Sequence, residues 1–248
     1  MEFALTDLLV FIILPIVAFF YASVGHGGAS SYLMVLALLN FAPEQIRPAA
    51  LIMNMFVSMI AFLTFKSVST FPIKLFLALS IFSIPAAYLG GGIEIDTSLY
   101  KRILGIVLFF PILKFLDILP TSTTSNPAVR TWWMAPAIGL AIGFVSGLIG
   151  IGGGIILSPI LLLLGWSDLK STAAMSALFI FLNSISGFIG AGGFPVSIDQ
   201  ELWILMPLTI LGGALGAYWG AHKFQNKGLK YALTIVLFIA AIKLVWAG

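Results

Sequence analysis

The sequence contains no cysteine and very little charge. Of its 248 residues, 8% are Asp, Glu, Lys or Arg, 60% are hydrophobic, and the mean hydropathy is +1.13. Without cysteine, disulfides, thiolate nucleophiles and cysteine metal sites are excluded. A soluble domain carries about 25% charged residues, so these charges are too few to cover a surface in water. We therefore expect an integral protein of the cell membrane.

Acidic residues are also missing from the middle of every long apolar run, which argues against a carboxylate proton relay. We find no catalytic triad, no paired carboxylates and no metal-ligand cluster at usable spacing, so we expect neither an enzyme nor a metal or cofactor site. A phosphate-binding loop with its lysine and a nucleic-acid-binding patch are absent as well. Apart from Glu2 and Asp7, the acidic residues lie at predicted turns: Glu44, Glu94, Asp96, Asp117, Asp168, Asp199 and Glu201.

Two glycine clusters interrupt the apolar sequence. The first break (residues 25–28) reads Gly25-His26-Gly27-Gly28, and the second break (residues 150–154) reads Gly150-Ile151-Gly152-Gly153-Gly154. Glycine is a weak helix former that tolerates positive φ, so each cluster predicts an opened helix. In lipid, the freed N–H groups need partners, and helix N-termini attract anions. We therefore expect a small anion to bind between the two breaks, on the N–H groups of these glycines.

The apolar runs predict an all-α polytopic membrane protein made of two repeats. Each repeat holds one Gly-broken helical hairpin and three transmembrane helices. The first repeat covers 1–116, with the hairpin at 5–40 and spans at 46–65, 75–92 and 99–116; a polar linker covers 117–130; the second repeat covers 131–248, with the hairpin at 131–165 and spans at 172–190, 201–220 and 229–246. Pro43 is expected to start a helix, and Ser167 or Asp168 to cap one.

The halves match in order at a nearly constant offset, which indicates a duplication. The glycines of the breaks align at an offset of 125, Ala49-Ala50 aligns with Ala173-Ala174 at 124, and residues 106–109 align with 235–238 at 129. Each half crosses the membrane three times if its hairpin is re-entrant and five times if both arms span. Both counts are odd, so the second half starts on the opposite side and the repeats are inverted.

The distribution of lysine and arginine predicts the orientation. The side expected to be cytoplasmic holds eight and the other side four, so both termini are expected outside the cytoplasm. The sequence leaves open whether the protein is a monomer or a homodimer. The eight are Lys66, Lys74, Lys114, Arg130, Lys170, Lys223, Lys227 and Lys230; the four are Arg47, Lys101, Arg102 and Lys243.

His26 and Arg47 are the ionisable candidates for the site. His26 lies inside the first break and could take up a proton with the anion, because histidine changes its charge near neutral pH. The alternative is a neutral histidine bonded to a neighbouring carbonyl. Arg47 begins the first span after the hairpin (46–65), on the side expected to be outside, and could cap or steer an anion that enters near the hairpin. The alternative is an interfacial arginine whose charged end reaches water.

Neutral polar side chains near the breaks could also contact the anion. Asn54 and Asn183 lie inside predicted spans, and Ser30 and Ser31 follow the first break. Such groups can donate hydrogen bonds to a sulfonate without holding it too tightly to leave. They can equally form hydrogen bonds between helices, and the sequence alone does not separate the two roles.

The second break carries a family resemblance. The stretch Gly143-Phe-Val-Ser-Gly-Leu-Ile-Gly-Ile-Gly-Gly-Gly, with the apolar run to Ser158-Pro159, resembles the TauE/SafE family of sulfite exporters, as does Gly212-Gly-Ala-Leu-Gly-Ala. The likeness covers essentially the whole chain, although the first half departs from it at His26 and at residues 30–32.

The resemblance implies a secondary transporter of small sulfur anions, such as sulfite or an organosulfonate like sulfoacetate, usually working in export. An anion channel and an uptake carrier for another small organic anion remain alternatives. For Gly212, Gly213 and Gly216 we expect a role in close helix packing.

Overall fold

The computed structural model describes residues 5–39, 41–109, 112, 129–193, 200–222, 238, 241–242 and 245–246. Within these residues all regular structure is helical. The α-helices are α1 (Leu5–Ala22), α2 (Ala29–Leu38), α3 (Pro43–Lys66), α4 (Ile73–Gly91), α5 (Thr97–Val107), α6 (Ala135–Ile149), α7 (Gly154–Leu163), α8 (Leu169–Gly190) and α9 (Gln200–His222), and a 3-10 helix (Val129–Met134) precedes α6.

Five segments of the described chain are long and apolar enough to cross a membrane, as expected for an all-α polytopic membrane protein. They are Pro43–Lys66, Ile73–Gly91, Trp132–Ile149, Leu169–Gly190 and Leu202–His222. In contrast, α2 and α7 have ten residues each. A helix of that length extends about 15 Å, about half of the hydrocarbon layer, so neither helix can cross the membrane by itself.

Three predicted segments lie wholly or partly outside the described residues. The linker at 117–130 is described only at its last two positions, and the last span at 229–246 only at 238, 241–242 and 245–246. The span at 99–116 is described as far as 109 and at 112, and α5 within it ends at Val107.

Two helix starts follow from local sequence. Pro43 occupies the first turn of α3, where its missing N–H costs no hydrogen bond. Asp168 caps α8, because its Oδ1 accepts hydrogen bonds from the N–H groups of Lys170 and Ser171 at 3.0 Å, and its Oδ2 accepts one from the Ser171 hydroxyl at 2.6 Å. Burial alone would raise the pKa of Asp168, but these hydrogen bonds outweigh it and hold the pKa below its usual value.

Glycine stripes bring helices of opposite halves into backbone contact. A Cβ added to Gly216 would lie 1.9 Å from a carbonyl oxygen of α1, and one added to Gly212 would lie 2.3 Å from another, so α9 can approach α1 this closely only with glycine there. A Cβ at Gly213 would meet Val57 of α3 at 2.5 Å. The predicted packing role of these three glycines is confirmed.

The contact between α4 and α6 is built in the same way. Here Gly139, Gly143 and Gly147 of α6 face carbonyl oxygens of α4, and an added Cβ would come within 2.0 to 2.2 Å of them. At the centre, α3 packs against α8, while α4 also contacts α8 and α3 contacts α9. When the halves are exchanged, the contact between α1 and α9 corresponds to that between α6 and α4, and the contact between α4 and α8 to that between α9 and α3.

We predict that the Asp168→Ala variant loses about 1 kcal/mol of stability at neutral pH, the usual cost of a lost N-cap. Because folding lowers the pKa of Asp168, its contribution is fully present above the unfolded pKa of about 3.9 and is lost as the pH falls through the folded value. Asp168→Asn is the matched control, since asparagine caps without a charge. Unfolding by SDS, followed by circular dichroism at several pH values, measures the effect. Equal losses for both variants at neutral pH would contradict it.

Candidate functional site

The two breaks share a left-handed backbone conformation at two pairs of equivalent glycines, whereas Gly152 has a φ of 72° and its counterpart Gly27 has no positive φ. Gly25 and Gly150 have φ values of 79° and 88°, and Gly28 and Gly153 have φ values of 95° and 80°. The first pair ends α1 and α6, and the second pair precedes α2 and α7. All four positions lie in the left-handed region, which glycine adopts without steric cost. The glycines therefore explain why each helix stops and a new one begins.

The hydrogen bonds of the breaks repeat as well. The N–H of His26 donates to the carbonyl of Tyr21 at 3.0 Å, and the N–H of Ile151 donates to the carbonyl of Ser146 at 3.2 Å. These bonds from residue i to residue i−5 are typical of a helix terminated by a left-handed glycine. The two breaks thus share this terminating hydrogen bond.

Asn54 of α3 joins the two breaks. Its Oδ1 accepts a hydrogen bond from the N–H of Ala29 at 3.0 Å, at the start of α2. Its Nδ2 donates to the carbonyl of Ile151 at 3.2 Å, inside the second break. Asn54 is fully buried, so water cannot reach these backbone groups. The two hydrogen bonds from Asn54 satisfy them instead. Of the two roles that the sequence left open, the structure places Asn54 in bonding between helices.

Ile180 of α8 lies against both breaks from the other side. A Cβ added to Gly27 would lie 2.5 Å from Asn54 Oδ1 and 3.0 Å from Ile180 Cγ2. At Gly152 the same Ile180 carbon would lie 2.7 Å away, and at Gly154 Ile180 Cδ1 would lie 2.4 Å away. The structure therefore brings the predicted residues Gly27, Gly152, Gly154 and Asn54 together, with Ile180 covering the glycines.

The remaining polar residues of the first break are buried. Ser31 Oγ donates to the carbonyl of Gly28, and Tyr32 Oη donates to the carbonyl of Gly27 at 2.7 Å. Ser30 has 3% of its surface exposed. The side chain of His26 is 2% exposed, which places an ionisable group in the protein interior.

Arg47 is buried, with 8% of its surface exposed, so its guanidinium does not reach water as an interfacial arginine would. Its Nη2 donates to the carbonyls of Gly91 at 3.1 Å and Gly147 at 3.2 Å, and its Nη1 donates to the carbonyl of Ile93 at 3.3 Å. These carbonyls lie at the C-terminal ends of α4 and α6, where the helix dipole favours a cation. Gly150 is the nearest predicted site residue, since a Cβ there would lie 3.4 Å from Arg47 Cβ.

Asn183 is placed away from the glycines of the breaks. Its Nδ2 donates to the carbonyl of Phe179 at 2.8 Å, one turn earlier in α8, and its Oδ1 accepts the hydrogen bond of Ser83 Oγ from α4. Both polar ends of this side chain are thus used in the contact between α4 and α8.

Two serines that were not among the predicted site residues lie at the second break. Ser184 Oγ would lie 2.9 Å from a Cβ added to Gly152, and Ser146 Cβ would lie 3.2 Å from one added to Gly153. Both serines are fully buried, and neither hydroxyl has a partner among the described residues. The sequence could have indicated Ser146, because the offset of 125 aligns it with Tyr21, a polar residue at the same distance before the first break.

The fold and the breaks define a polytopic membrane protein whose broken helices meet in its interior. The chain matches the family described as "Sulfite exporter TauE/SafE" over residues 10–244, and it belongs to that family. This membership identifies it as a membrane transporter.

Relatives agree with this assignment. The chain is 31% identical, over 238 residues, to the "Probable membrane transporter protein y4hK" of Sinorhizobium fredii, covering 93% of this chain and 95% of that protein. It is 33% identical over 116 residues to the "Probable membrane transporter protein YunE" of Bacillus subtilis, covering 45% of this chain and 41% of that protein. No solved structure matches the chain.

We predict that Gly152→Ala destabilises the protein by about 1 to 3 kcal/mol more than Gly193→Ala. Both glycines have positive φ, 72° and 61°, so the backbone strain is similar. Only the Cβ at position 152 meets neighbours, whereas that at 193 has none within 4 Å, and overfilling a packed site costs about 1 to 3 kcal/mol. SDS unfolding monitored by tryptophan fluorescence measures the difference, and equal losses would contradict the packing of the second break.

Proposed function

We propose that this protein is a secondary transporter that exports a small sulfur-containing anion, sulfite or an organosulfonate such as sulfoacetate, across the cell membrane. The observation that carries the proposal is the meeting of two broken helices through Asn54 in the interior. Helix N-termini at membrane depth are suited to anionic groups, and the family description names sulfite export.

The anion binds between the breaks, on backbone N–H groups. Among the described residues, the N–H groups of Gly152, Gly153 and Gly154 have no hydrogen-bond acceptor. Gly25, Gly27 and Gly28 complete the site on the other side. Arg47 adds positive charge beside Gly150, and Asn54 couples occupancy of one break to the other.

The two halves are inverted repeats that provide alternating access, with both termini outside the cytoplasm. Exchange of the halves maps the pair α1–α9 onto the pair α6–α4 and leaves the central pair α3–α8 in place, which supports this symmetry. Because glycines join α1 to α9 and α4 to α6 backbone to backbone, these pairs are the natural rigid units. Their movement against α3 and α8 opens the site to one side and then to the other.

Purified protein in liposomes tests this function. Liposomes loaded with labelled sulfite or sulfoacetate should release the anion at rates typical of a carrier, and protein-free liposomes should retain it. Planar-bilayer recordings should show no current above carrier turnover; large currents would instead establish an anion channel. If no anion of a sulfite, sulfonate and carboxylate panel binds or crosses, the proposed function is wrong.

We predict that His26→Gln flattens the pH dependence of transport between about pH 5 and pH 8, since histidine is the side chain that titrates in this range. His222→Gln is the matched control: His222 lies exposed at the end of α9, where its Nδ1 contacts the carbonyl of Tyr218 at 3.0 Å. Initial rates in proteoliposomes provide the measurement. A His26→Gln profile that matches wild type would remove His26 from proton coupling.

A further inference from the structure

We propose that the charged head of the transported anion binds on the second break, on the N–H groups of Gly152, Gly153 and Gly154 and the hydroxyls of Ser146 and Ser184. This inference rests on the proposed function and assigns to this break a head group with three oxygens on one centre and a single negative charge, as in a sulfonate or hydrogensulfite. The first break closes the site on the other side and is tied to the second through Asn54.

The first break uses more of its own polar groups than the second break does, although the N–H groups of Gly27 and Gly28, like those of Gly152 and Gly153, have no acceptor among the described residues. The N–H of Ala29, which is equivalent to that of Gly154, donates to Asn54 Oδ1 at 3.0 Å. Tyr32 Oη and Ser31 Oγ donate to the carbonyls of Gly27 and Gly28. An anion binding there would have to displace bonds that the protein itself makes, at the cost of leaving buried groups unpaired.

The second break has replaced these partners with apolar residues. The positions equivalent to His26, Ser31 and Tyr32 are Ile151, Ile156 and Leu157. The N–H of Gly154 has no acceptor among the described residues, in contrast to that of Ala29. The second break therefore keeps donors that no protein group uses.

Four buried serine and threonine hydroxyls of the described helices have no partner, those of Ser80, Ser146, Thr172 and Ser184. Of these, Ser146 and Ser184 lie beside Gly153 and Gly152 of the second break. Such side chains commonly donate to the carbonyl four residues earlier, as Ser58 does to Asn54 and Thr209 does to Leu205 at 2.8 Å. Ser146 and Ser184 make no such bond and are fully buried. A buried hydroxyl without a partner costs free energy, and an anion seated on α7 would provide the missing acceptor.

These donors suit a pyramidal oxyanion. Three N–H and two O–H groups can serve the three oxygens of a sulfonate, whereas a carboxylate offers two oxygens. The side chains nearest to Gly152 and Gly153 are neutral: Asn54, Ser146, Phe179, Ile180 and Ser184, with Ile142. Arg47, beside Gly150, already donates to the carbonyls of Gly91, Ile93 and Gly147. A single negative charge on the anion is therefore compensated mainly by dipoles, while a second would lack compensation.

Ile180 determines access to this position. Its Cγ2 and Cδ1 lie against Gly152 and Gly154, so an anion can bind only after this side chain moves off the glycines. Because Ile180 belongs to α8, movement of α8 relative to α7 uncovers the donors. Binding is thereby linked to the conformational change that transport requires.

Ser146→Ala, Ser184→Ala and the double variant test this proposal. The matched control is Ser186→Ala. Ser186 lies on α8, as Ser184 does, but its hydroxyl already donates to the carbonyl of Ile84. Calorimetry on purified protein, with hydrogensulfite, methanesulfonate, acetate and sulfate as probes, measures affinity, and SDS unfolding measures stability. We expect each single variant to bind methanesulfonate about tenfold more weakly without losing stability, and the control to lose stability while keeping its affinity.

The outcomes separate this proposal from the proposed function. If wild type transports sulfite or a sulfonate and both single variants bind it with unchanged affinity, the assignment to the second break is overturned while the transport function stands. Tighter binding of acetate or sulfate than of methanesulfonate would overturn the substrate class. If wild type neither binds nor transports any of the four anions, both proposals fail.

Discussion

Inside a bilayer each backbone N–H and C=O group needs a hydrogen-bond partner within the protein. At the two glycine breaks the helices stop, so the intrahelical hydrogen bonds that a continuous helix would supply are missing there. Asn54 is the side chain that answers this constraint for both breaks, since its oxygen serves the start of α2 and its nitrogen serves the carbonyl of Ile151. Asn54 lies on α3, the helix that packs against α8 at the centre, and it bonds to groups in both halves of the chain. The positions of both breaks thus depend on one amide group.

Close backbone approach is the second constraint on the fold. The glycines of α6 and α9 let these helices contact carbonyl oxygens of α4 and α1 at distances that any Cβ would prevent. The second half of the chain supplies these glycines, and in the α4–α6 contact Gly90 of α4 adds one from the first half, since a Cβ there would lie 2.2 Å from the carbonyl oxygen of Phe144. Membrane helices have no hydrophobic driving force for association. Close contacts of this kind allow dispersion and interhelical hydrogen bonds to drive association instead.

The two halves differ in how they handle charge. Arg47 is buried among the helix-end carbonyls of α4 and α6, an arrangement in which helix dipoles compensate a charge that lipid could not solvate. The equivalent position in the second half is Ser171, which belongs to the Asp168 cap at the start of α8. The equivalent positions of the two halves therefore carry different polar groups, a buried arginine in one and part of a helix cap in the other.

Composition and spacing were sufficient to predict a polytopic helical membrane protein, the interruption of helices at both glycine clusters, the helix start at Pro43 and the cap at Asp168. These features depend on properties of single residues and their near neighbours, such as the left-handed φ of glycine and the acceptor oxygen of aspartate. The packing role of Gly212, Gly213 and Gly216 could be predicted for the same reason, because small residues in an apolar helix have few other uses.

The polar residues of the site could not be sorted in this way. Asn54 and Asn183 were equal candidates, yet Asn54 joins the breaks and Asn183 bonds Ser83 and its own helix. Their partners lie as many as 97 and 100 residues away. By itself the sequence determined the membrane class, the broken helices and their repetition, since these depend on local backbone preference. Only the tertiary structure decided which buried donors are already bonded and which, at Ser146 and Ser184, are open, because a hydrogen bond is defined by the partner that packing brings to it.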